Sequence, residues 1–141
     1  MAVYRAPVLG TPSFAHPFRA PAQRWSAGHR GVDLWLGDDM PVLAPAAGTV
    51  TFAGTVVDRG VVSVLHPDGR RSSVEPVVAA VVVGQQVGAG DVLGTLDGSG
   101  GHCTPRSCVH WGLREGDRYL DPVTVLSGGG PIVLLPVTPA G

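Results

Sequence analysis

Apolar residues run along this chain in short stretches separated by turn residues, and no window keeps a 3.6-residue apolar spacing for the length of a helix. Gly48-Thr49-Val50-Thr51-Phe52-Ala53-Gly54 reads as a strand bounded by glycines. Residues 61–65 predict a second strand, and Pro67-Asp68-Gly69 turns the chain into a third over 70–74, so these two form a hairpin. Residues 81–94 read as tight turns around very short strands. Residues 108–113 predict a further strand, and Tyr119-Leu120-Asp121-Pro122 closes the domain. Valine dominates the apolar set, and a side chain branched at Cβ fits a pleated sheet better than a helix. The pattern predicts an all-β fold of short antiparallel strands and hairpins. It divides the chain into an extended, Pro-rich lead over 1–24, a β domain over 25–126 and a Gly/Pro-rich tail over 127–141. The lead is expected to pack on the domain, because Phe14, Phe18 and Trp25 need cover. The tail, set off by Ser127-Gly128-Gly129-Gly130, is expected to be loose.

Composition narrows the class. A chain of 141 residues suits one domain with a real core. With 44% hydrophobic and 15% charged residues it is globular, so the 21 Gly and 13 Pro mark turns and not a low-complexity segment. A net charge of −1 lacks the basic footprint of a nucleic-acid binder, so no nucleic-acid partner is expected. All ten basic residues are Arg, with no Lys. No apolar run approaches the roughly 18–20 residues that cross a bilayer, so no membrane span is expected. The first seven residues lack the apolar core of a signal peptide; the expectation is a processed or truncated form, or another export route. A monomer is expected.

Two clusters carry candidate chemistry. His29-Arg30-Gly31-Val32-Asp33 sets an imidazole four positions from a carboxylate, with Gly28 and Gly31 allowing close backbone approach. In Cys108-Val109-His110, strand alternation points Cys108 and His110 to one side. Two imidazoles and a carboxylate suit Zn²⁺, and three protein ligands leave the fourth position that catalytic sites keep open. Spacing alone also allows a surface His beside a surface Asp. Cys103 and Cys108 are expected to form a disulfide across the turn at Pro105; free thiols and a metal pair are the alternatives.

Gly28-His29-Arg30-Gly31-Val32-Asp33-Leu34 resembles the G-H-x-G-x-D segment of the lysostaphin-type (LytM-like) zinc peptidases, which cut peptides of bacterial cell walls. Pro41-Val42-Leu43-Ala44 and Ala47-Gly48-Thr49-Val50 resemble that family's next turn and strand. Residues 87–96 resemble its V-x-x-G-x-x-I-G segment, and Cys108-Val109-His110-Trp111 sits where the family has H-L-H-F. With Tyr119-Leu120-Asp121-Pro122 the resemblance covers roughly residues 25–126 in order. It implies a compact β-barrel-like sandwich, the duplicated hybrid motif, with an open groove over a metal. It also implies His29, Asp33 and His110 as the zinc ligands.

Two positions depart from the family pattern. Cys108 stands where the family has a His, and Ser72-Ser73-Val74-Glu75-Pro76-Val77 stands where it has T-x-Y-x-H-L, with Pro76 read at the His position. Losing one such donor typically costs on the order of 100- to 1,000-fold in rate. Glu75 and His102 are the candidate catalytic substitutes. Glu75 would serve as general base, although strand alternation turns it away from the side of Val74 and Pro76 unless a bulge or slip intervenes. His102, beside Cys103, would be swung by the disulfide towards the vacated imidazole position; otherwise it is an exposed loop histidine. His66 is expected to cap the hairpin turn, and His16 shows no partner. The expected function is a secreted or cell-envelope zinc endopeptidase acting on peptidoglycan peptides. The alternative is a weak or inactive relative that binds cell-wall peptide or glycan or regulates another hydrolase. Residues 83–94 also resemble the hairpins of biotin and lipoyl carriers, which need a Lys that this chain lacks.

Overall fold

The structure, a computed structural model, describes residues 3–19, 30–98 and 103–126. Strands follow as β1 (Phe14–His16), β2 (Val32–Trp35), β3 (Pro41–Leu43), β4 (Gly48–Val56), β5 (Arg59–Leu65) and β6 (Arg71–Glu75). Then come β7 (Val77–Ala79), β8 (Gln86–Val87), β9 (Val92–Leu96), β10 (Cys108–Glu115) and β11 (Arg118–Leu120), and a 3-10 turn at Pro122–Val125 ends the described part. The all-β expectation holds. The larger sheet runs β1-β2-β10-β6-β5-β4-β8, with β11 beside β10, and a smaller sheet runs β3-β9-β7; every pairing between these strands is antiparallel.

The expected hairpin is β5–β6, with Leu65 opposite Arg71 and Val62 opposite Val74. Gly69 closes it at φ +89°, a left-handed conformation that glycine adopts without a Cβ clash. One core joins the sheets. Val32, Leu34, Val62, Val74, Val109, Trp111 and Leu113 of the large sheet meet Val42, Val77, Leu93 and Leu96 of the small one, all fully buried. Tyr4, Ala6 and Val8 enter the same core, and Phe14 and Phe18 lie against it. The tail at 127–141, together with Trp25, lies outside the described residues.

The core contains a polar thread. The His66 Nδ1–H donates to the Ala47 carbonyl (2.9 Å), and Ser72 Oγ lies 2.7 Å from His66 Nε2. Trp111 Nε1–H donates to the same Oγ at 3.1 Å. Tyr4 meets the His66 ring edge-on at 5.0 Å and donates its hydroxyl to Asp68. Burial holds His66 below its ordinary pKa and pushes the Tyr4 phenol, further raised by Asp68, above its own. The backbone of His66 does bracket the hairpin turn, as expected, since its carbonyl accepts from Gly69 N. Its ring is a core group instead.

Candidate metal centre

Alternation sorts β10 into two faces. Val109, Trp111 and Leu113 point into the core, and Cys108, His110 and Gly112 point to the opposite side of the sheet. On β2, Val32 and Leu34 go inward, leaving Asp33 and Trp35 on that outer side. The registers then align the outer residues. His110 lies opposite Asp33 on one flank and opposite Glu75 on the other. Cross-strand partners share a face, so Asp33, His110 and Glu75 form one row over three adjacent strands.

Within the row, His110 Nδ1 stands 2.8 Å from Asp33 Oδ1. Asp33 is 1% exposed, and a buried carboxylate requires compensation by donors or a cation. Gly31 permits this approach: a Cβ there would meet the Trp111 carbonyl oxygen and lie 2.7 Å from His110 Nε2. Glu75 accepts from Arg59 Nε at 2.6 Å.

Glu75 lies on the same outer face as His110, contrary to what alternation against Val74 and Pro76 implied. Glu75 does face away from Val74, but Val74 is the residue that points into the core, opposite Trp111. Pro76 lies past the end of β6, so Glu75 and not Pro76 stands beside His110. Cys103 and Cys108 form the disulfide, which removes both the thiol and the metal-pair alternatives. Cys108 pairs with Trp35 on the outer face, and Arg106 stacks over the Trp35 ring at 3.7 Å. Trp111 is core. His29 and His102 lie outside the described residues.

One site residue escaped sequence reasoning. His16 Nδ1 stands 2.9 Å from Asp33 Oδ2, the oxygen that His110 does not use. A bulge in β1 causes this, because Phe14 pairs with Leu34 whereas His16 pairs with Asp33, one residue out of regular step. Among the described residues, donor atoms of His16, Asp33 and Cys103 lie within 4.8 Å of one another. Cys103 is spent in the disulfide, so this trio is not a three-ligand site. The donors that fit a zinc ion chemically are the buried Asp33 carboxylate and the adjacent imidazole.

Comparison with known proteins decides the affiliation: the profile described as Peptidase family M23 matches residues 27–122. The chain belongs to peptidase family M23. M23 members are zinc enzymes in general, often of the cell envelope or secreted. An uncharacterised protein of Mycobacterium tuberculosis is 42% identical over 139 residues, covering 96% of this chain and 55% of its own length. The chain therefore spans about half the length of the curated relatives it matches. Its fold is similar to that of lysostaphin (TM-score 0.71, 22% identity, 96% of this chain and 61% of that one). It is also similar to a chain of the SpoIIIAH and SpoIIQ complex (TM-score 0.68, 22% identity, 86% and 98%). At these identities the likenesses show the M23 fold alone. No helix among the described residues is long and apolar enough to cross a membrane.

Proposed function

We propose that this M23 chain is a zinc endopeptidase of the cell envelope or the secreted fraction, acting as a monomer on peptidoglycan peptide bonds. Residues 25–126 would form the peptidase unit, with 1–24 as its lead and 127–141 as a tail. His29, Asp33 and His110 would hold the metal. The reading is supported above all by the outer-face row of Asp33, His110 and Glu75, which sets a buried carboxylate, an imidazole and a second carboxylate side by side. When bound, zinc supplies Lewis acidity that polarises a carbonyl and acidifies water. Asp33 Oδ1 lies 2.8 Å from His110 Nδ1, and Gly31, without a Cβ, leaves room for that ring. Glu75, its Oε2 fixed by Arg59, would take a proton from the attacking water and return it to the leaving amine. His102 is the second candidate for that proton transfer.

A specific observation favours a second reading. Glu75 is tied to Arg59, and the position two before His110 holds a disulfide in place of an imidazole. A chain so equipped would bind cell-wall peptide or glycan, or regulate another hydrolase, with little turnover. The SpoIIQ likeness, from a complex with a partner protein, is compatible with such a role.

Metal analysis and peptidoglycan digestion separate the two, using wild type, His110→Ala, Glu75→Gln and His102→Ala, each checked by thermal melting. The enzyme reading expects near one equivalent of zinc, with digestion abolished in His110→Ala and reduced at least about 100-fold in Glu75→Gln or His102→Ala. One equivalent of zinc without digestion supports the binding module. A folded wild type that takes up no zinc overturns both the metal assignment and the enzyme.

A further inference from the structure

We propose that His16 is a positioning residue of the metal centre, holding the Asp33 carboxylate from the side opposite His110. The proposal rests on the zinc reading above. The sequence segment that supplies His16 lies outside the motif that carries Asp33, and nothing in its composition marks a ligand. The bulge in β1 is what brings it in. Regular pairing would set residue 16 opposite Val32, on the core side, with Phe14 opposite Leu34. The extra residue leaves Phe14 facing the core and re-aims His16 over Asp33.

The contact has the geometry of a charge-assisted hydrogen bond. Nδ1–H of His16 donates to Oδ2 at 2.9 Å, while Oδ1 is the oxygen beside His110. The two imidazoles thus take one oxygen each, which fixes the rotation of the carboxylate about its Cβ–Cγ bond. A carboxylate ligand held in this way keeps a fixed orientation towards a cation bound beside His110. Without the outer partner, the group must be ordered at the moment of binding. His16 itself is half-exposed, its side chain 50% accessible, so its burial contributes little; Phe14 supplies the packing of β1. Cys103 Sγ lies 3.9 Å from His16 Nδ1 and within 4.8 Å of an Asp33 carboxylate oxygen, so the disulfide packs beside this contact. The disulfide that stands at an imidazole position of the family pattern therefore borders the same site.

The test is zinc affinity of the full chain, stripped of metal and titrated with Zn²⁺ against a chromophoric chelator. Wild type, His16→Ala, His16→Asn and Asp33→Asn are compared, with the melting of each metal-free protein as the folding control. His16→Ala is expected to weaken zinc binding by about 10- to 100-fold, the usual effect of removing the partner of a ligand. His16→Asn is expected to stay within roughly threefold of wild type, because its amide N–H donates from nearly the position of imidazole Nδ1. Rescue by Asn is what a purely structural role of His16 would not produce. If His16→Ala binds zinc as wild type does while Asp33→Asn does not, the proposal fails and the zinc site stands. If Asn fails like Ala, His16 acts as a direct ligand and the positioning role is overturned. If folded wild type binds no zinc, the underlying reading falls, and the proposal with it.

Discussion

The tightest packing constraint at the site is Gly31, and Gly31→Ala tests it. A Cβ at this position meets the Trp111 carbonyl oxygen and sits 2.7 Å from Nε2 and 2.9 Å from Cε1 of His110. The carbonyl belongs to β10, which is laddered to β2 on one side and β6 on the other, so it cannot retreat alone. The ring could turn, but only by drawing Nδ1 away from Asp33 Oδ1, 2.8 Å distant. Overpacking of this kind costs on the order of 3 kcal/mol, the upper end of the range, because backbone must move. Replacing glycine by alanine also narrows the unfolded ensemble, which offsets about 1 kcal/mol. The net loss of about 2 kcal/mol corresponds to a melting point lower by roughly 6–8 °C in a domain of this size. Gly37→Ala is the control: its Cβ would touch only Met40 Cγ, at 3.4 Å, and stability should change by less than about 1 kcal/mol. Thermal melting and urea unfolding of the three metal-free proteins read the difference, and zinc titration should show Gly31→Ala weakened as well. Equal midpoints for Gly31→Ala and Gly37→Ala would refute the claim that the β2–β10 approach leaves no room for a methyl group.

Two further outcomes follow from the core and the disulfide. Burial lowers the pKa of His66 in the folded chain below its ordinary 6.5, so between the two values the unfolded chain binds more protons. The stability that His66 contributes is thus complete above about pH 6.5 and is lost as pH falls through the folded value, at no more than about 1.4 kcal/mol per pH unit. Urea midpoints measured from pH 7.5 down to 5 should fall more steeply in wild type than in His66→Phe, and parallel slopes would sink the account. The Cys103–Cys108 disulfide closes a loop with a sequence separation of 5, for which loop closure predicts about 2 kcal/mol. A Cys103→Ser/Cys108→Ser double variant should unfold at correspondingly lower urea, and an unchanged midpoint would show that the cross-link contributes nothing beyond the turn around it.

The strands at 48–56, 59–65, 71–75 and 108–115 were legible because each contains a short run of strand-forming residues set off by turn residues. The Gly69 turn was legible for the same reason: it is local chemistry. Asp33 and His110 could be singled out by their resemblance to a family pattern, which compresses the tertiary structure of many relatives into a few spaced residues. What alternation could not supply was the register between distant strands. Periodicity says that Glu75 and Val74 face opposite ways but not which way is the core; the pairing of β6 with β10 decides that, placing Val74 against Trp111 and Glu75 against His110. His66 reads as a turn residue from its neighbours, yet Ser72 and Ala47 draw its ring inward. His16 is the sharpest case, since its side is set by a bulge, and a bulge is a mismatch between two strands that neither strand carries alone. By itself the sequence determined where the longer strands lie and which donors exist. Only the tertiary structure decided which donors share a face, because a face is a property of paired strands and their packing against one core.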